Sequence, residues 1–116
     1  MADGRLMQAM LFDFYGELLT EKQREYYDLH YNEDLSLAEI AEQTGISRQG
    51  VWDMIRRADA MMNDIEEKTG LVKRFNECTE VLSELEDMLL ELESVTQGRA
   101  KELACQIRKK LPELRM

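Results

Sequence analysis

A chain of 116 residues with 44% apolar residues is long enough for one domain of average size. It contains one Pro and six Gly, and strong helix formers such as Ala, Leu, Met, Glu and Lys dominate, so we predict an all-α protein. The net charge of −9 repels nucleic acid on average, so nucleic-acid binding would need a local basic patch. Up to Gly70 there are 7 basic and 15 acidic residues, and after it 8 and 9, so the acidity lies in the first part.

The two cysteines, Cys78 and Cys105, form no CxxC pair, and the sequence has neither a signal-peptide pattern nor an apolar run of about 18 residues. These features predict a cytoplasmic protein with reduced thiols and no membrane insertion. Because both cysteines fall on apolar helical stripes, we expect both side chains to be buried.

The first two helices follow from periodicity and capping. Apolar residues at helical spacing predict an amphipathic helix from about Asp3 to Leu18. Thr20 and Gln23 have the form of a capping box, in which each side chain bonds to the other residue's backbone N–H. A second helix is therefore predicted from Glu21 to Tyr31.

Two further helices surround a glycine. Ser36 opens a second capping box and a short helix to about Gln43, which Gly45 ends. Ser47 is the next N-cap candidate, and it predicts a longer helix that ends at Gly70.

The remaining residues predict two more helices, for a total of six. After Gly70, successive apolar residues are four and three positions apart in turn, which predicts one long helix. They are Leu71, Phe75, Cys78, Leu82, Leu85, Leu89 and Leu92, with Val81, Met88 and Val95 widening the stripe. The segment Thr96–Gly98 breaks this helix, and a last one runs from about Arg99 to Leu111, where Pro112 stops it.

This pattern predicts a domain over residues 1–70, made of the N-terminal helix and the tri-helical core, and a helical extension over residues 71–116. The apolar stripe is too broad for one seam, so the extension packs on the first domain, folds back as a hairpin, or meets a second chain. We predict a homo-oligomer, a dimer, through the helices after Gly70.

The central segment has the pattern of a helix-turn-helix motif. Such a motif needs a residue that tolerates positive φ at the turn, with small or branched apolar residues at the inner corner. The residues that fill these structural positions are Ser36, Ile40, Ala41, Gly45, Ile46, Ser47, Val51 and Ile55.

The outer face of the second motif helix holds the candidate contact residues. They are Arg48, Gln49, Trp52, Asp53, Arg56 and Arg57. Arg48 and Gln49 suit base edges, and the later arginines suit phosphates. An acid near phosphates is a penalty, however, and Trp52 is bulky for a DNA groove.

Three questions about this face stay open: the role of Trp52, the role of the arginines and the type of partner. Trp52 packs on the N-terminal or the long C-terminal helix, or it contacts a protein or stacks on RNA. The arginines form a solvated face, or they pair with Asp53 and Asp59 across helical turns. A DNA-binding regulator that uses this helix in the major groove is the alternative to a protein or ribonucleoprotein adaptor.

The sequence gives no catalytic constellation, so we predict that the protein is not an enzyme and needs no cofactor. His30 is the sole histidine, with no second His or Cys at ligand spacing. We expect it to be a surface or half-packed side chain rather than a metal ligand.

Four segments between residues 6 and 75 resemble the YlxM family of bacterial helix-turn-helix proteins. They are Leu11–Arg24, Ser36–Glu42, Ser47–Arg57 and Lys68–Phe75. The tri-helical region is also similar, less specifically, to the fourth region of sigma factors, which binds promoter elements.

The resemblance implies a function that spacing alone does not. The family is linked with the signal recognition particle, through its GTPase protein and its RNA, and is thought to modulate that pathway. Family members commonly carry an aromatic residue followed by an acid where this sequence has Trp52 and Asp53. The resemblance thus favours the particle as partner, through the GTPase, the RNA or both.

Overall fold

The structure is a computed structural model that describes residues 2–115, with side chains described from residue 4 onward. Within that range the chain contains six α-helices, two short 3₁₀ turns and no strand. The helices are α1 (Ala2–Tyr15), α2 (Glu21–Tyr31), α3 (Leu37–Thr44), α4 (Arg48–Thr69), α5 (Leu71–Val95) and α6 (Arg99–Lys110), and the 3₁₀ turns are Gly16–Leu18 and Leu111–Leu114. About 87% of the described residues lie in these helices and turns, which confirms the all-α prediction.

The helix starts follow the capping chemistry of the sequence. Thr20 and Gln23 bond to each other's backbone N–H, and Ser36 and Glu39 do the same. These reciprocal bonds satisfy N–H groups that the first helical turn leaves without a partner. The predicted starts of α2 and α3 are therefore confirmed.

The chain divides into two compact units between Val72 and Lys73. The core of the first unit takes its side chains from α1 to α4 and from the first turn of α5. Its buried residues are Leu11, Tyr15, Leu19, Tyr26, Tyr27, Ile40, Val51, Ile55, Ala58, Met62 and Val72. Burial of this apolar area holds α3 and α4 in place.

Asp59 on α4 connects this helix to α1 and α2 through hydrogen bonds. The Tyr27 hydroxyl donates to Asp59 Oδ1 at 2.9 Å, and Gln8 Nε2 lies 3.4 Å from Oδ2. The Tyr27 ring is fully buried and stacks on Phe12, with ring centroids 5.2 Å apart. Burial, followed by the nearby Asp59 charge, raises the pKa of the Tyr27 phenol far above its ordinary value.

A second polar cluster lies where α4 ends and α5 begins. The Tyr15 hydroxyl donates to Glu66 Oε1 at 2.6 Å, and the Val72 N–H donates to the same oxygen at 3.0 Å. Burial, then the hydrogen bond to the Glu66 carboxylate, raises the pKa of Tyr15. Gly70, with φ of 64° and ψ of 20°, ends α4 in the left-handed conformation that glycine adopts without strain.

The second unit is an antiparallel helical hairpin of α5 and α6. Glu93 on α5 pairs with Arg108 on α6 at 2.5 Å, and Glu86 pairs with Arg115 at 3.2 Å. A hairpin is one of the arrangements that the sequence left open. The last helix ends at Lys110, one residue before the predicted end.

Helix α6 ends just before Pro112, as predicted, whereas the prediction for the two cysteines is corrected. Pro112 itself lies in the first turn of the following 3₁₀ segment, where its missing N–H costs nothing. Cys78 is exposed and Cys105 is half-buried, so the prediction that both are buried is wrong. The reason is geometric: the hairpin covers only part of the apolar stripe of α5.

Among the described residues, no helix is both long enough and apolar enough to span a bilayer.

Candidate partner-binding surface on the helix-turn-helix motif

The turn between α3 and α4 is set by Gly45. Its φ of 77° and ψ of 8° lie in the left-handed region, where its N–H donates to the Ala41 carbonyl at 2.9 Å and closes α3. Ser47 then caps α4 by accepting from the Gly50 N–H at 3.0 Å. The side chains of Ile40 and Val51 are fully buried, so the two helices meet over an apolar corner.

Gly50 fits a space that no other residue fits. A Cβ atom at this position would lie 2.7 Å from Ile46 Cγ2 and 3.1 Å from Ser47 Oγ. These separations are shorter than van der Waals contact, so any side chain here would displace the corner. This packing role of Gly50 emerges only from the tight approach of the turn to α4.

A shallow groove of about 470 Å³ lies where the starts of α3 and α4 meet. Its lining residues are Leu37, Arg48, Gln49 and Trp52. The Trp52 side chain is 38% exposed and does not belong to the buried core of the first unit. Leu37 was not among the predicted contact residues, because an apolar residue directly after an N-cap is as typical of a core position.

Asp53 occupies the centre of the exposed face of α4. Its Oδ1 atom accepts from Gln49 Nε2 at 3.1 Å and lies 3.6 Å from Arg56 Nη2. The Asp53 side chain is 40% exposed and the Arg56 side chain 68%, so this is a surface ion pair of small net energy. Its effect is to orient the Gln49 amide and to offset the charge of Arg56.

All six predicted contact residues lie on α4. Some of their charges are paired with a neighbouring side chain and others are not. Arg48 and Arg57 are exposed, and neither forms an ion pair with any residue that the structure describes. Of the pairings that the sequence left open, Arg56 with Asp53 is present. Asp59 instead bonds with Tyr27 and Gln8 in a partly buried cluster.

His30 is half-packed, as expected from the sequence. Its Nδ1 atom lies 2.8 Å from the Leu35 carbonyl oxygen, and its ring meets the edge of Tyr31 with centroids 4.8 Å apart. Among the described residues, no group of three or more His, Cys, Asp or Glu side chains is arranged to hold a metal ion.

Comparison with known proteins gives a consistent family. The sequence model of the family described as "Putative helix-turn-helix protein, YlxM / p13 like" (UPF0122) matches residues 2–102. A UPF0122 protein of Halalkalibacterium halodurans is 48% identical over 87 residues, which cover 75% of this chain and 80% of that protein. A UPF0122 protein of Bacillus cereus strain AH187 is 47% identical over 87 residues, covering 75% of this chain and 79% of the relative.

Proposed function

Because the chain belongs to the YlxM-like family of helix-turn-helix proteins, we propose that it is a non-enzymatic, cytoplasmic accessory protein that binds and modulates the signal recognition particle. Its partner there is the particle's GTPase, the particle's RNA or both, as the sequence resemblance implies. Contact runs through the exposed face of α4, with Arg48, Gln49, Trp52, Asp53, Arg56 and Arg57 as the contact residues.

The observation that carries the proposal is the exposed indole of Trp52. A tryptophan that is 38% exposed beside the apolar Leu37 side chain leaves apolar area in water, and a partner that covers it gains the free energy of that burial. Tryptophan and arginine dominate the energetic centres of protein interfaces, and aromatic rings also stack on unpaired bases. The groove therefore suits a protein or a folded RNA better than the regular floor of a DNA groove.

The contacts of Asp53 support the same choice. A glutamine that reads adenine uses both its amide nitrogen and its amide oxygen. Here the Gln49 amide N–H donates a hydrogen bond to the Asp53 carboxylate, and Arg56 faces the same carboxylate. To read a DNA sequence, Gln49 and Arg56 would have to give up these contacts with Asp53. The Asp53 carboxylate would then also repel the DNA phosphates.

A DNA-binding regulator is the second candidate, and the free arginines favour it. Arg48 at the start of α4 and Arg57, nine residues later, are both exposed and unpaired within the described part of the chain. Such positions suit phosphate or guanine contacts in a major groove. Gel shifts on duplex DNA near physiological salt distinguish this candidate, because tight, sequence-selective binding would contradict the adaptor.

We further propose that the helices after Gly70 carry self-association, so that partner binding and oligomer formation use separate surfaces. The apolar side chains that α5 and α6 leave exposed are the basis of this part of the proposal.

The sole tryptophan makes the partner test direct, because Trp52 fluorescence reports on the proposed contact face. We expect purified particle RNA or purified particle GTPase to shift and quench the emission at saturating, micromolar concentrations. Unrelated duplex DNA of the same length should leave the emission unchanged at physiological salt. If neither particle component alters the emission or is retained by the immobilised protein, the proposed function is wrong.

Variants then locate the face. The double variant Trp52→Ala, Arg56→Ala should lose capture of the particle components, whereas Met61→Ala should keep it. Met61 lies on the same helix and is 40% exposed, so it matches Trp52 in exposure but not in position. Equal capture by the wild type and by the double variant would exclude this face as the contact surface.

A further inference from the structure

The helix α5 carries two apolar seams, and α6 covers one of them. The seam that faces α6 contains the buried Leu82 and the half-buried Leu89, but it also holds Glu86 and Glu93 with their arginine partners. This inner seam is partly polar, so packing of α6 against α5 buries only a small part of the apolar surface of α5.

The second seam repeats every three and four residues, and all six of its members are exposed. They are Cys78, Val81, Leu85, Met88, Leu92 and Val95. Val81, Met88 and Val95 are 53%, 64% and 73% exposed. A regular alternation of three and four without a polar member is the pattern of a helix that packs into a helical bundle.

Helix α6 continues the same open face. Leu103 and Ile107 are 42% and 49% exposed, and Leu114 in the following 3₁₀ turn is 64% exposed. The outer seam of α5 extends over about 26 Å at the helical rise of 1.5 Å per residue. With two helices about 10 Å apart, the hairpin presents an apolar face of roughly 500 Å² in projection, on the scale of the area that each partner buries in a stable dimer.

The charges of the two helices are complementary. Over Leu71–Val95, two basic and seven acidic residues give α5 a net charge of −5. Over Arg99–Lys110, five basic residues and one acidic residue give α6 a net charge of +4. If α5 of one copy lies beside α6 of a second copy, each helix therefore meets a helix of opposite net charge, and the two copies attract each other.

We propose that two copies of this chain pair through these hairpins into an antiparallel four-helix bundle, in which α5 of each copy packs beside α6 of its partner. Pairing of α5 with α5 would set the glutamates at the free edge of the seam, Glu77, Glu84 and Glu91, against the same row of the second copy, where like charges repel. In the proposed arrangement a two-fold axis runs along the bundle. Because Glu93 is level with Arg108 within one hairpin, Glu91 comes level with Lys110 of the partner subunit.

This inference names the partner and the geometry of the self-association proposed above, and it is independent of the particle as ligand. The first test is light scattering on the full chain. The wild type should be a dimer, and Met88→Lys should be a folded monomer, with the dimer weakened by roughly 100-fold or more because a charge would enter the apolar seam. Leu90→Lys is the matched control: Leu90 is 50% exposed on the opposite side of α5, so this variant should stay a dimer. A monomeric wild type, or equal behaviour of the two lysine variants, would overturn self-association through this seam.

The arrangement has its own test. One full-length variant carries Glu84→Lys and Glu91→Lys, which makes the free edge of α5 basic; another carries Lys109→Glu and Lys110→Glu, which removes the net positive charge of α6 and makes its C-terminal end acidic. Each alone should dimerise at least roughly tenfold more weakly than the wild type, and an equimolar mixture should recover a heterodimer, because the reversed residues then face opposite charges in one α5–α6 pair and the native residues do so in the other. If each variant dimerises like the wild type, or if the mixture shows no heterodimer, α5 does not pack beside the partner's α6. Circular dichroism establishes that each variant is helical, and particle binding by the Met88→Lys monomer is scored separately.

Discussion

The hydrogen bond between the Tyr27 hydroxyl and Asp59 should be the strongest single polar contact holding α2 against α4. Tyr27 is fully buried, and its hydroxyl donates to a carboxylate at 2.9 Å. Tyr27→Phe keeps the ring and its stacking on Phe12 but removes the donor. Asp59 would retain only the longer contact with Gln8 at 3.4 Å.

The expected cost follows from the charge and the exposure of the acceptor. Hydrogen bonds to charged groups contribute about 1.5–3 kcal/mol, more than bonds between neutral groups. Since Asp59 is half-buried, water can reach part of its carboxylate in the variant. We therefore expect Tyr27→Phe to lower the free energy of unfolding by about 2 kcal/mol, which at a slope of about 1–2 kcal/mol per molar urea moves the midpoint down by about 1–2 M.

Urea denaturation followed by Trp52 fluorescence measures this change, because the single tryptophan lies in the first unit. The neighbouring Tyr26→Phe is the control. Tyr26 is 1% exposed, and its hydroxyl has no hydrogen-bond partner among the described residues, so its loss should cost under about 0.5 kcal/mol. Equal midpoints for the two variants, or no coupling between Tyr27→Phe and Asp59→Asn in a double-mutant cycle, would refute this reasoning.

Three other predictions concern backbone and protonation. Gly50→Ala should destabilise the first unit by about 1–3 kcal/mol, because the new Cβ meets Ile46 at 2.7 Å; Gly4→Ala has open space, should be neutral or stabilising, and both are read from thermal midpoints. Ser36→Ala removes the side chain that accepts from the Glu39 N–H and should cost about 1 kcal/mol by urea denaturation, with Ser36→Thr close to wild type. The third prediction concerns alkaline pH, where the buried phenols have raised pKa values in the folded state; they are Tyr15, Tyr27 and Tyr31. In the unfolded chain these phenols ionise near pH 10, so their contribution to stability is present below that pH and is lost as the pH rises through the folded pKa values. Tyrosinate absorbance from them should appear together with loss of helical circular dichroism, and its full appearance near pH 10 with the helices intact would contradict the assigned burial.

Local chemistry made most of the helices predictable. The start of α2 at Glu21 follows from the Thr20 capping box, and the end of α4 follows from Gly70, whose left-handed conformation few other residues adopt. The corner of the helix-turn-helix was predictable for the same reason: Gly45 and the apolar residues around it lie within sixteen positions of one another, and their spacing alone indicates the motif. The six candidate contact residues are those on the first turns of α4 that do not pack in this corner, and their role stays a proposal.

Tertiary packing decided what spacing leaves undetermined. Helical periodicity shows that a stripe is apolar but not which part a neighbour covers, and for that reason Cys78 was wrongly predicted to be buried. The close approach of Ile46 to Gly50 and the turning of Asp59 away from the arginines depend on residues that meet only after α1, α2 and α4 have packed. Sequence thus determined the helices and the motif, because capping and periodicity act within a few residues. Only the folded chain determined which side chains stay in water, because burial depends on contacts between distant segments, and that choice leaves Trp52 on one unit and the outer seam of α5 on the other available for a partner.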